Sequence, residues 1–146
     1  MARLFGLDVA VLSTAYGGRS QWIRGYPDQA LEMVERSVAL ARERGRPFDV
    51  ATALSTGAGY ARLLRGEVSE TRQCAMEAIE ISEANHYTYL QARDLIELGW
   101  CHMQKGDIAA GIERLEEGIA KFRAPRYRKR PRKAISLPSS IKTSRC

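Results

Sequence analysis

Residues 97–123 of this 146-residue chain read ELGWCHMQKGDIAAGIERLEEGIAKFR. After the glycine at 106, apolar side chains recur at spacings of four, three, four and three, which places them on one stripe of a helix. Asp107 stands where a helix N-cap is expected, and the charged side chains fall largely outside the stripe. The stretch therefore predicts one helix, a tight turn and a second, amphipathic helix. The stripe consists of Ile108, Ile112, Leu115, Ile119 and Phe122.

This arrangement occurs three times. Gly25, Gly66 and Gly106 each open a turn, at spacings of 41 and 40 residues, and another glycine stands seven residues before each. Such a period is typical of stacked supersecondary units that cannot bury their apolar faces alone. The sequence predicts an all-α protein, an α-solenoid of three antiparallel helical hairpins with a period of about 40. The predicted helices lie near 8–24, 27–44, 49–65, 68–84, 88–105 and 107–122.

Small residues recur inside the predicted hairpins. Gly18, Gly59 and Gly99 fall in the middle of the first helices, where glycine costs about 1 kcal/mol relative to alanine. Repetition of this cost at equivalent positions predicts a close approach of the paired helix. Gly45 and Asn85 are predicted to end two of the second helices in the left-handed conformation. The residues predicted to face the three glycines are Ala30, Thr71 and Gly111.

The net charge of +6 is divided unevenly along the chain. Residues 123–146 hold nine lysines or arginines and no acidic residue, so the first 122 residues are mildly acidic. We expect a helical repeat domain at 1–124 and a basic, disordered tail at 125–146. The tail either attracts nucleic-acid phosphates, without sequence preference, or an anionic membrane surface, or it is simply solvated. Its densest cations are Arg126, Arg128, Lys129, Arg130, Arg132 and Lys133.

The cysteines and histidines form no recognisable chemical site. Cys74, Cys101 and Cys146 are odd in number and widely spaced, which fits a reduced, cytoplasmic setting better than a disulfide framework. Cys101 and His102 are neighbours, so they point about 100° apart on a helix, and no zinc spacing is present. We expect no metal, no cofactor and no catalytic activity.

The chain shows no convincing membrane or export signal. Asp8 interrupts the apolar run near the N-terminus, and that run also aligns with the first helix of the repeat, which argues against a signal peptide. No stretch approaches the about 18 uninterrupted apolar residues that span a bilayer. We therefore expect no membrane association.

The glycine pattern resembles the tetratricopeptide repeat (TPR). That family has a small residue midway along the first helix, a glycine seven residues later and an alanine five residues beyond. All three units match the first two features, Ala30 matches the third, and Thr71 and Gly111 match it loosely. The period exceeds the usual 34, as in the long-helix variety of these repeats. The resemblance implies a protein–protein interaction fold.

Two stretches, 22–54 and 97–124, also resemble the C-terminal repeats of large bacterial predicted-ATPase regulators, which often carry a cyclase or DNA-binding domain. This chain has no G-x-x-x-x-G-K-[ST] phosphate loop. The resemblance therefore implies a non-catalytic scaffold or sensor module of a bacterial signalling or transcriptional regulator. A nucleic-acid-associated protein acting through the tail is the alternative function.

The segment after the third unit departs from that family, because a basic tail replaces the next hairpin. We expect a truncated or frameshifted fragment of a longer regulator. With only three units and exposed ends, self-association through the terminal hairpins is also expected.

Three aromatic residues are candidate partner-binding residues. Trp22, Tyr60 and Trp100 fall on the first helices, which line the concave face of such superhelices. One interpretation is a groove with aromatic anchors for a peptide or a partner helix. The other is that these rings fill gaps between helices. Truncation to alanine separates the two, because a core role predicts a large loss of stability and a groove role a small one.

Overall fold

The structure, a computed structural model, describes residues 3–4 and 7–124. Strands β1 (Arg3–Leu4) and β2 (Leu7–Asp8) form a short antiparallel pair ahead of the helices. The helices are α1 (Val9–Ile23), α2 (Pro27–Arg44), α3 (Pro47–Thr52), a π-helical segment (Ala53–Gly59), α4 (Tyr60–Arg65), α5 (Val68–Ala84), α6 (Thr88–Gln104) and α7 (Ile108–Arg123).

The three predicted hairpins are confirmed. They are α1 with α2, the continuous helix α3–π–α4 with α5, and α6 with α7. The two-residue strands were not predicted, and the predicted tail at 125–146 lies outside the described residues. The predicted N-cap at Asp107 is also confirmed, because its carboxylate accepts a hydrogen bond from the backbone N–H of Ala110 at 3.2 Å.

One predicted left-handed residue is wrong, although the helix before it ends at Ala84 as predicted. Gly45 ends α2 in the left-handed conformation, with φ 65°, but Asn85 has φ −114° and the left-handed residue is His86, with φ 59°. The Asn85 side chain instead donates a hydrogen bond to the carbonyl oxygen of Ile81 at 2.8 Å. This bond satisfies a carbonyl oxygen of the last helical turn that has no partner within the helix. The left-handed residue of the turn is then His86, one residue after the predicted position.

The π-helical segment explains why the repeat spacing changes from 41 to 40. Left-handed residues mark the chain reversals at Gly25, Gly45, Gly66, His86 and Gly106, and their spacings are 20, 21, 20 and 20 residues. The single long interval contains the π segment. A π turn closes i→i+5 and so takes up one more residue than an α turn. The segment therefore absorbs an extra residue while both ends of the helix stay in register with their neighbours.

Backbones approach closely inside the first and third hairpins. A Cβ atom added at Gly18 would lie 2.9 Å from the carbonyl oxygen of Ala30, and one added at Gly99 would lie 2.8 Å from that of Gly111. The prediction that Ala30 faces Gly18 and that Gly111 faces Gly99 is therefore confirmed.

The prediction for the second hairpin is wrong. The nearest atoms to a Cβ at Gly59 belong to Glu97 at 2.8 Å, Leu54 at 3.0 Å and Cys74 at 3.6 Å, and not to Thr71. The π segment brings Gly59 towards the third hairpin instead.

The first helices of the hairpins form the inner layer of the solenoid. The π segment contacts both α1 and α6, whereas a cavity of about 350 Å³ separates α2 from α5. We call the exposed surface of α1, α3–π–α4 and α6 the inner face.

Substitution of Gly99 tests the close approach. A Cβ there would meet a carbonyl oxygen at 2.8 Å and the Leu115 Cγ atom at 3.0 Å, so Gly99→Ala should lower the free energy of unfolding by about 1–3 kcal/mol. Gly17→Ala is the matched control, because its Cβ would meet only the flexible end of Met33. Denaturation followed by circular dichroism should show little loss for Gly17→Ala; equal losses would contradict the packing argument.

Candidate functional site

A cluster of four side chains joins the three hairpins on the inner face. The guanidinium carbon of Arg19 lies 4.3 Å from the centre of the Tyr60 ring, and that of Arg93 lies 5.8 Å from it. Both distances fall within the range of cation–π attraction. Arg93 also donates two hydrogen bonds, each 3.4 Å long, to Glu97 Oε1. We call Arg19, Tyr60, Arg93 and Glu97 the Tyr60 cluster.

Glu97 lies in a space that only glycine leaves open. It is 5% exposed, and its Oε2 atom would be 2.8 Å from a Cβ at position 59. This oxygen has no hydrogen-bond partner among the described residues. Burial raises the pKa of Glu97 to about 7, and the positive charges of Arg93 and Arg19 only partly offset that rise.

A second buried carboxyl group lies one turn earlier on α6. Asp94 is fully buried at the contact with the π segment. Burial first, and then the charge of Glu97, raise the pKa of Asp94 well above its ordinary value; the Ser55 hydroxyl and Arg93 offset this in part. The third hairpin therefore packs two acidic groups against the second, and burial shifts both towards the protonated form.

The three aromatic residues predicted to bind a partner lie in different surroundings in the structure. Tyr60 lies at the centre of the cluster, between cations from the first and third hairpins. Trp22 and Trp100 are half-buried on α1 and α6. Within the described part of the chain, neither tryptophan joins the Tyr60 cluster.

Sequence reasoning missed the charged members of the cluster, although the repeat register carried a signal. Arg19 occupies the same register position as Tyr60, one residue after the mid-helix glycine. Glu97 stands where the second hairpin has Gly57, a fully buried position. A charged residue in one repeat at a position that holds a glycine in another repeat departs from the repeat pattern. Such a departure could have identified Glu97 as a candidate.

The remaining candidate chemistry does not converge. Burial raises the pKa of the Cys101 thiol to about 11, so it is a poor nucleophile. No group of three metal-ligating side chains occurs in the described ranges, and no helix there is long and apolar enough to cross a membrane. The tail cations at 126–133 lie outside the described residues, so nucleic-acid binding stays a prediction.

Comparison with known proteins supports the fold. No family model matches the chain, and no curated protein matches it. The structure is similar to the crystal structure of the TPR domain of Arabidopsis FLU, with a TM-score of 0.66 and 16% sequence identity. The match covers 77% of this chain and 94% of that domain. At this identity the likeness establishes the TPR-like fold and nothing about the partner.

The buried carboxyl group of Glu97 predicts a pH dependence of stability. Its pKa is raised on folding, so the unfolded chain ionises first and stability falls as pH rises from about 4.5 to 7. Glu97→Gln removes this loss. Relative to the wild type, its free energy of unfolding should increase by about 2–3 kcal/mol between pH 5 and pH 8.

Urea denaturation of both proteins at the two pH values measures this difference. Glu80→Gln, on the exposed face of α5, is the matched control and should show no comparable change. A pH-independent difference between wild type and Glu97→Gln would show that Glu97 is already ionised in the folded protein.

Proposed function

We propose that this chain is a non-catalytic protein–protein interaction module whose groove is centred on the Tyr60 cluster. The observation that carries the proposal is the Tyr60 ring of the second hairpin, which Arg19 of the first hairpin and Arg93 of the third approach on the inner face. A tyrosine and arginines that several elements hold in place are typical of the residues that dominate binding energy at protein interfaces.

The charges of the cluster favour an acidic partner segment. Two guanidinium groups share one carboxyl group, Glu97, which is buried and has a raised pKa. The cluster therefore presents net positive charge beside an aromatic surface. Arginine binds carboxylates through paired hydrogen bonds, and the Tyr60 ring offers an apolar contact next to them. A peptide with an acidic side chain beside an apolar one fits this arrangement.

The wider setting that we propose is a cytoplasmic bacterial signalling or transcriptional regulator, in which this chain is a scaffold or sensor module. The proposal rests on the stretches 22–54 and 97–124, which resemble the repeats of such regulators. The basic tail supports the alternative, a nucleic-acid-associated protein. Binding to duplex DNA that weakens steeply with salt, and disappears when 125–146 are removed, would favour that alternative.

Selection of random peptides on the full chain tests the groove. We expect enrichment of sequences that place aspartate or glutamate beside an apolar residue. Binding of a selected peptide, followed by fluorescence anisotropy, should weaken at least about tenfold in Arg19→Ala and in Arg93→Ala, because each change removes a charged hydrogen-bond donor. Arg72→Ala, exposed on α5, is the matched control and should bind as the wild type does.

Tyr60→Ala separates a binding role from a packing role. In the proposed groove it weakens peptide binding and lowers the free energy of unfolding only slightly. Enrichment of basic peptides, or equal weakening by Arg72→Ala, would contradict the proposed groove.

A further inference from the structure

The two contacts between neighbouring hairpins are built from different side chains. We call the contact of the first hairpin with the second the first interface, and that of the second with the third the second interface. At the first interface, Val11 and Ala41 form one buried cluster with Ala53 of the second hairpin. Val34 packs in the same way with Ala58. The first interface is therefore apolar where it is most deeply buried.

The repeat register shows which side chains take these positions at the second interface. Ala41 and Ala53 lie four residues before and eight residues after the left-handed residue that follows α2. Ser82 and Asp94 lie at the same distances from the left-handed residue that follows α5, and both are buried. A hydroxyl and a carboxyl group thus replace two methyl groups.

The buried polar groups of the second interface lack hydrogen-bond partners. Within the described residues, neither the Ser82 hydroxyl nor either carboxyl oxygen of Asp94 has one. The same is true of the Ser55 hydroxyl, on the π segment, and of Glu97 Oε2, on α6. Such groups lose their bonds to water when the hairpins pack and gain none in return, so they weaken the contact that buries them.

The buried acidic group at the first interface is satisfied instead. Asp49 of α3 is fully buried, and its Oδ1 atom accepts a hydrogen bond from the backbone N–H of Asp8 at 3.2 Å. Its Oδ2 atom lies 3.4 Å from the Arg46 side chain. The two interfaces therefore differ in how they pair buried charge, and not only in how much of it they hold.

Ion pairs between hairpins also favour the first interface. Three of them bridge it, at 2.8–2.9 Å: Arg42 with Glu77, Glu35 with Arg62 and Asp28 with Arg65. Among the residues that the structure describes, no ion pair joins the second hairpin to the third. There Gln91 of α6 donates a hydrogen bond to Glu83 of α5 at 3.0 Å. Each exposed ion pair contributes little, but all three act on the same interface.

We propose that the third hairpin leaves the stack as one unit while the first two hairpins stay folded. Its own helices are held together closely, since a Cβ atom added at Gly118 of α7 would lie 2.7 Å from the carbonyl oxygen of Ala92 on α6. Along the chain, residues 85–87 join this hairpin to α5. The stability of a stacked repeat protein is approximately a sum of repeat and interface terms, so the weaker interface opens first.

Opening would divide the Tyr60 cluster. Arg93 and Glu97 leave with the third hairpin, whereas Tyr60 and Arg19 stay on the first two. Peptide binding in the groove and separation of the hairpin would then exclude each other. This consequence rests on the proposed function, but the opening itself does not, and the experiments below use the chain without a peptide.

Cys101 is a natural probe of the second interface. It is fully buried on α6, five residues before the left-handed Gly106. Ala61 lies five residues before the left-handed Gly66 and packs with Val34 at the first interface. The two positions are equivalent, so a thiol at each reports the opening of one interface.

Thiol labelling with Ellman's reagent tests the proposal in full-length chains that carry Cys74→Ala and Cys146→Ser. One chain keeps Cys101; the other has Cys101→Ala and Ala61→Cys. The Cys101 chain should label at least about tenfold faster, after each rate is compared with global unfolding measured in urea. Circular dichroism checks that both chains fold. Equal rates, or labelling of Cys101 only at the rate of global unfolding, would overturn the proposal.

A second variant tests the cause of the opening. Ser82→Ala with Asp94→Ala, made in the chain that keeps Cys101, gives the second interface the two alanines of the first. Labelling of Cys101 should slow at least about tenfold, because the closed state no longer buries these unpaired oxygens. Glu80→Ala, on the exposed face of α5, is the control and should label as its parent does. Unchanged labelling of the double variant would show that Ser82 and Asp94 do not weaken the interface.

Discussion

Close backbone contact within the hairpins is the constraint on which the rest of the structure depends. At Gly18 and Gly99 the facing helix lies so near that a methyl group would touch a carbonyl oxygen or the side chain beyond it. This proximity leaves little volume for large side chains, and the largest fully buried apolar side chains are valines, Val11 and Val34. Much of the core is alanine, which contributes little apolar area per residue. The stack therefore relies on many close contacts, reinforced by ion pairs between hairpins such as Arg42 with Glu77 at 2.8 Å.

The π segment changes what the second hairpin can accept. All seven of its residues are buried and all but Leu54 are small, which lets α1 approach from one side and α6 from the other. The space left beside Gly59 is occupied by the carboxyl group of Glu97. The π segment of the second hairpin, which holds the extra residue, and the buried Glu97 of the third hairpin thus form one contact. A regular α-helix with larger side chains would have no room for that acid.

The fold could be predicted from the sequence because its determinants are local. Turn glycines fix the chain reversals, and the 3.6-residue period of α7 is visible without any partner. The π segment could not be predicted in this way, although the change in spacing from 41 to 40 recorded its extra residue. The Tyr60 cluster was missed for another reason: Arg19, Tyr60 and Arg93 meet only when the three hairpins stack, and each alone resembles an ordinary helix residue.

One ionisation links the stability of the stack to the charge of its inner face. Glu97 packs against the second hairpin and also lies beside both guanidinium groups of the Tyr60 cluster, with the buried Asp94 one turn away. While Glu97 is protonated, the hairpins pack without a buried negative charge and both arginines keep their full positive charge. When it ionises, a negative charge is buried beside Gly59, and part of the positive charge that favours an acidic partner is neutralised. Because burial raises the pKa of Glu97 to about 7, both consequences occur together near neutral pH. The same group that costs stability therefore also sets the charge of the proposed groove.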